Sequence, residues 1–195
     1  MGAEVRISWL RIAIVALLAV MVLEYVWVQV NPAGGKRNRG QAIFGHIGGE
    51  ACPAEGKRGA FGQTDYEWQL TALDGTDTSL LRHKDRVLFI NVWATWCGPC
   101  IAEMPEIQAL FESLKGQGVA FLAISDEDRE TVRKFVEEKG YTFPVYVTEN
   151  VPDEFESRGI PATFVVDRTG GIVLKKTGAA SWDTDTCRSF LRSLL

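Results

Sequence analysis

The stretch Trp93-Ala94-Thr95-Trp96-Cys97-Gly98-Pro99-Cys100 follows an apolar run from Val87 to Val92, broken only by Asn91, and precedes a helical pattern running to Lys115. A strand, a tight turn and a helix that opens on two cysteines read as a redox motif. Cys97 falls where the turn meets the helix N-terminus. Unpaired backbone N–H groups and the helix dipole favour negative charge there, so the Cys97 thiolate is stabilised and becomes the attacking group. Cys100 lies one turn on, within reach to displace a partner from a mixed disulfide. Pro99 is tolerated because first-turn N–H groups have no intrahelical acceptor.

Other uses of the pair fit poorly. A closed zinc site needs four ligands, and the only two histidines, His46 and His83, are far apart in the chain. Haem attachment needs His directly after the second cysteine, where Ile101 stands. A peroxidase-type Thr three residues before the nucleophile is replaced by Ala94. The net charge of −4 gives no electrostatic case for nucleic acid. Four cysteines in 195 residues do not make a disulfide scaffold.

Trp96-Cys97-Gly98-Pro99-Cys100 resembles the signature loop of the thioredoxin superfamily. The longer run Ala94 to Pro105, with Glu103 three residues after the second cysteine and Pro105 two later, is similar to the membrane-anchored TlpA/ResA-like thiol–disulfide oxidoreductases. The resemblance covers about Phe61 to Leu195. It implies an α/β thioredoxin-like fold, a central mixed β-sheet flanked by helices. It also implies a Cys97–Cys100 disulfide in the oxidised form, Gly98 and Pro99 as tuning residues, and no cofactor or metal. Asn91 departs from thioredoxin itself, which carries a buried Asp at that strand position. Gly159-Ile160-Pro161-Ala162-Thr163-Phe164 resembles the segment holding the superfamily's cis-proline. That places Ile160 and Pro161 opposite the cysteines, where exposed backbone pairs with an extended substrate. Trp96 is expected on the surface around Cys97, and Trp93 in the core.

Read at about 100° per residue, Cys100, Met104, Ile107, Leu110, Phe111 and Leu114 form one helical stripe. Glu103 falls inside it and Glu106 outside. A carboxyl aimed at the core is costly without a purpose. Burial raises its pKa and makes Glu103 a proton carrier for the thiols, whereas Glu106 suits a simple complement to the helix dipole. Pro105 is expected to bend or loosen this helix near its start.

The rest of the chain divides into a short tail (1–11), an apolar run (12–30), a Gly-rich segment (31–60) and the folded domain (61–195). Ile12 to Val30 reaches about 28 Å, close to the hydrocarbon thickness of a bilayer. It reads as an N-terminal transmembrane helix, with a cleaved signal sequence as the rival reading. Glu24 within it is placed near an interface. Residues 31–60 read as a flexible tether in which Cys52 is an incidental exposed thiol or an intermolecular partner. In the domain, Glu67 to Leu73 alternates as a strand, Asp74-Gly75 signals a hairpin, and Leu80-Leu81 a helical turn. Val119 to Ile124 is a buried strand, and a helix to Lys139 ends at Gly140. Pro144 to Val147 is a short strand, and Pro152 to Ser157 a short helix. Ala162 to Asp167 and Ile172 to Thr177 form a hairpin. Ser181 is expected to cap the last helix, where Cys187 sits as a buried small apolar residue beside Phe190, Leu191 and Leu194.

These readings converge on a tethered thiol–disulfide oxidoreductase of the extracytoplasmic side. The resemblance implies protein disulfides as substrates, apocytochrome c awaiting haem among them, and a membrane thiol reductant as donor. The second reading is a tethered copper-delivery module on the same fold, since soft thiolates select Cu(I).

Overall fold

The computed structural model describes residues 51–53 and 59–195. The apolar run at 12–30 lies outside the described residues. Among the described residues, no helix is long and apolar enough to cross a membrane.

The centre is β3 (Val87–Val92), six residues buried without exception. Side chains alternate across a strand, so its two faces feed two cores. Val87 and Phe89 pack with the buried stripes of three helices, α1 (Gly98–Leu114), α2 (Arg129–Lys139) and α3 (Asp185–Arg192). Leu88, Ile90 and Val92 face the other way, onto Trp68, Leu70, Leu80 and Phe155. That second face is covered by two 3-10 turns, Leu80–His83 and Asp153–Phe155, so the helices flanking the sheet gather on one side.

β1 (Gln69–Ala72) and β2 (Asp77–Ser79) form a hairpin. Its turn holds Gly75 at φ 91°, a conformation glycine takes without a side-chain clash. β4 (Val119–Ser125) and β5 (Val145–Val147) run parallel beside β3, linked through helices as parallel strands require. β6 (Ala162–Val166) and β7 (Ile172–Thr177) return antiparallel on the other side of β3. The sheet is therefore mixed, in the order β2-β1-β5-β4-β3-β6-β7.

α2 starts where Asp128 accepts from the Thr131 N–H and stops at Gly140, φ 71°. α1 continues through Pro105 to Leu114, so the proline does not end it. The last helix begins later than the Ser181 cap anticipated. Thr184 accepts from the Cys187 N–H instead, and the buried Ser181 hydroxyl has no partner.

Two sequence expectations about cysteine fail here. Cys52 and Cys187 are joined in a disulfide spanning 135 residues of chain, and both are buried. Cys52 is therefore neither an exposed nor an intermolecular thiol, and Cys187 is a bonded cysteine rather than an apolar filler. The cross-link fixes Ala51 and Cys52, which the sequence assigned to the tether, into the core shared with α1 and α3.

Candidate active site

Cys97 occupies the N-cap position of α1, with extended backbone at φ −82° and ψ 98°. Its N–H donates to the Ala94 carbonyl at 3.1 Å and closes the turn after β3. Its carbonyl accepts the first helical bond, from Ile101 N at 3.0 Å. Its sulfur accepts from the Cys100 N–H at 3.2 Å. A sulfur that takes a backbone N–H at a helix head is electrostatically favoured as thiolate in the reduced form. Here the two cysteines form a disulfide, with Cα atoms 5.2 Å apart. Both are buried, whereas Trp96 beside them is 72% exposed and Trp93 lies in the core, as the sequence reading has it.

Thr95, two residues before Cys97, is held by a residue the sequence reading did not single out. Glu127 accepts from the Thr95 N–H and from its hydroxyl, each at 2.6 Å. Ser125 Oγ donates to the same carboxylate at 3.0 Å. The loop after β4 thus grips the turn after β3, at the sheet end where parallel strands finish and where α/β folds place their sites.

The Ile160–Pro161 bond is cis. Pairing of Val92 with Ala162 brings this loop to the same end of the sheet as the cysteine turn. The Pro161 carbonyl accepts from Gly178 N at 2.8 Å.

Beneath the cysteines lies a polar cluster inside the core. Asn91 points to the α1 side because it shares a face with Val87 and Phe89. There its side-chain amide donates to Glu103 Oε1 at 2.9 Å and to Thr163 Oγ1 at 2.8 Å. Glu103 Oε2 accepts from the Ala180 N–H at 3.0 Å and from the Trp182 indole N–H at 2.9 Å. Glu103 is only 1% exposed. Burial pushes its pKa up to about 7, against the pull of the three donors Trp182, Ala180 and Asn91 and with a smaller push from Glu106. Glu106, read from sequence as a dipole complement, instead accepts the Trp182 backbone N–H at 2.7 Å.

A raised pKa has a consequence for stability. The folded state holds the Glu103 proton more tightly than the unfolded chain between the ordinary value of 4.5 and about 7. This contribution is therefore fully present below that window and is lost as pH rises through it, by at most about 1.4 kcal/mol per pH unit. Glu103→Gln should remove that slope. Urea unfolding of both proteins at about pH 5 and about pH 8 checks it; a difference between the two that does not change with pH contradicts it.

Among the described residues no group of three or more His, Cys, Asp or Glu is placed to hold a metal ion.

Residues 62–175, more than half of the chain, match the family described as AhpC/TSA. The chain belongs to the AhpC/TSA family. Its relatives include the thiol–disulfide oxidoreductase ResA of Geobacillus kaustophilus, 35% identical over 122 residues that cover 61% of this chain and 70% of the relative. ResA of Halalkalibacterium halodurans is 33% identical, covering 60% and 68% respectively. Among solved structures, a thiol–disulfide oxidoreductase from Bacteroides vulgatus superposes with a TM-score of 0.61 at 23% identity, covering 72% of this chain and 99% of that one. At that identity the likeness speaks for the thioredoxin-like fold alone. With the paired cysteines at the head of α1, the AhpC/TSA and ResA relationships make this chain a thiol–disulfide oxidoreductase.

Proposed function

We propose that the chain reduces protein disulfides through Cys97 and Cys100, with Glu103 as the proton carrier. The observation that carries this is a disulfide at a helix head with a protonatable carboxyl buried one turn below it. In the reduced enzyme the Cys97 thiolate attacks one sulfur of the client disulfide. A Cys97–client bond forms, and the displaced client thiolate takes up a proton. Cys100 then loses its proton to the Glu103 carboxylate and attacks the Cys97 sulfur, expelling the second client thiolate, which is protonated in turn. The client gains two electrons and two protons, and the enzyme ends as the disulfide. A carboxyl near 7 suits this step, because it accepts from a thiol of ordinary pKa about 8.5 at modest cost. Trp96 and the backbone at Ile160 and Pro161 form the rim that receives the client, with Gly98 and Pro99 setting the ease of reduction.

The domain works outside the cytoplasm, held at the membrane by residues 12–30. The length and apolarity of that segment support the anchor. The second disulfide supports the compartment, since a buried structural disulfide persists where the surroundings are oxidising. Electrons then come from a membrane thiol reductant, and apocytochrome c is the client class that the resemblance of the Ala94 to Pro105 run implies.

The direction of exchange is the point to test. Equilibrating the protein with a graded series of dithiol buffers should give a midpoint potential for the Cys97–Cys100 pair below about −200 mV. A value near −120 mV, the range of strong oxidants, overturns the reductase reading.

A further inference from the structure

Glu103 lies on α1, but two of the three donors that hold its carboxyl come from the segment just before α3. That segment is itself pinned. Trp182 is fully buried, and its ring meets Phe89 edge-on with centroids 5.1 Å apart. Its backbone N–H is taken by Glu106. Its carbonyl accepts from Thr184 N at 2.9 Å, and the Thr184 hydroxyl accepts from Cys187 N at 3.1 Å. Cys187 is bonded to Cys52. Two hydrogen bonds, joined through the residues that make them, therefore tie the cysteine of the second disulfide to the residue whose indole touches Glu103.

The geometry points to Trp182 as the positioning residue for Glu103: its indole N–H, fixed by the ring's seat on Phe89 and by the start of α3, sets where the carboxyl stands and how readily it gives up its proton. This rests on the proton-carrier reading of Glu103. Nothing about Trp182 announces the role in sequence, since it stands 79 residues from its partner.

The physics gives a sign. An N–H donated to a carboxylate stabilises the ionised form more than the protonated one. Losing that donor leaves desolvation less opposed, so the carboxyl holds its proton to higher pH. The other groups acting on it are Asn91 and the Ala180 N–H, both neutral, and the Glu106 carboxyl, which raises it further. Cys97 and Cys100 do not titrate while they are bonded to each other.

The test uses oxidised full-length protein labelled with carbon-13 at the Glu side-chain carboxyl. The Glu103 signal is assigned by its loss in Glu103→Gln. In the wild type it should titrate near 7. In Trp182→Phe, which keeps a ring on Phe89 and loses the N–H, it should move up by about one unit, and the matching limb of the pH–rate profile should move with it. Should Trp182→Phe fail to fold, benzothienylalanine at position 182 keeps the indole shape without the N–H, and the same shift is expected. A midpoint within about 0.3 unit of wild type, with stability lost or not, overturns the proposal and leaves Glu103 standing. A pH–rate profile that Glu103→Gln leaves unchanged overturns the proton-carrier reading itself, and the proposal with it.

Discussion

Cys97→Ser is expected to reduce protein-disulfide turnover to the rate of the buffer alone, while Cys100→Ser stops after one half-reaction. The asymmetry follows from where each sulfur sits. Cys97 is the residue at which backbone turns into helix, so its sulfur meets the Cys100 N–H and the positive end of α1. A serine hydroxyl in the same place is far too weakly acidic to ionise and forms no disulfide. Cys100 is inside the helix and 1% exposed, with its own N–H spent on the Cys97 sulfur. It is badly placed to meet a client and well placed to reach Cys97. Insulin reduction, with dithiothreitol as electron source, checks both variants. Residual turnover in Cys97→Ser above that of the buffer alone would show that Cys100 attacks clients directly.

Cys52→Ala with Cys187→Ala is expected to lower the thermal midpoint by about 5–15 °C without changing the fold. The disulfide closes a loop of 135 residues. On the chain-entropy account a loop of that length is worth at most about 5 kcal/mol, and native disulfides usually return about 2–5 kcal/mol. A domain of this size converts each kcal/mol into about 2–4 °C. Burial of both sulfurs adds to the effect, because each alanine leaves a small unfilled space in a core shared with Trp182, Phe190 and Leu191. Differential scanning calorimetry of the oxidised proteins decides; an unchanged midpoint would mean that the cross-link restrains little. Exchange through Cys97 and Cys100 should persist in the variant well below its midpoint, since neither replaced sulfur takes part in it.

How much of this was legible beforehand depends on whether the signal was local. β3 and α1 were readable because each is a run: an apolar strand broken only by Asn91, and a stripe at helical spacing that, with Glu103 inside it, matches the buried residues of α1 one for one. The same periodicity put Glu103 inside the stripe and Glu106 outside it, where its bond to the Trp182 N–H could not be read. Pro161 was readable only through the resemblance of its segment, and its bond is cis as that segment implied. What stayed hidden were contacts made by chain closure. Asn91 could be noted as an oddity in the strand, but its meeting with Glu103 and Thr163 depends on β3 lying between α1 and β6. Glu127 carries no local signal of its role, and only the parallel neighbouring of β3 and β4 turns it toward Thr95. The Cys52–Cys187 bond has no spacing rule to reveal it, because two cysteines 135 residues apart carry no local signature. The misplaced cap at Ser181 has the same root. Several residues before α3 can serve as caps, and the one whose hydroxyl meets the Cys187 N–H in the folded chain is Thr184.

The most direct measurement is mass spectrometry of the Cys100→Ser protein after reaction with a disulfide-bonded substrate. A single adduct carried by Cys97, released by dithiothreitol, is what a nucleophile at the head of α1 requires. An adduct on Cys52 or Cys187, or no adduct at all while wild-type protein turns the same substrate over, would contradict it.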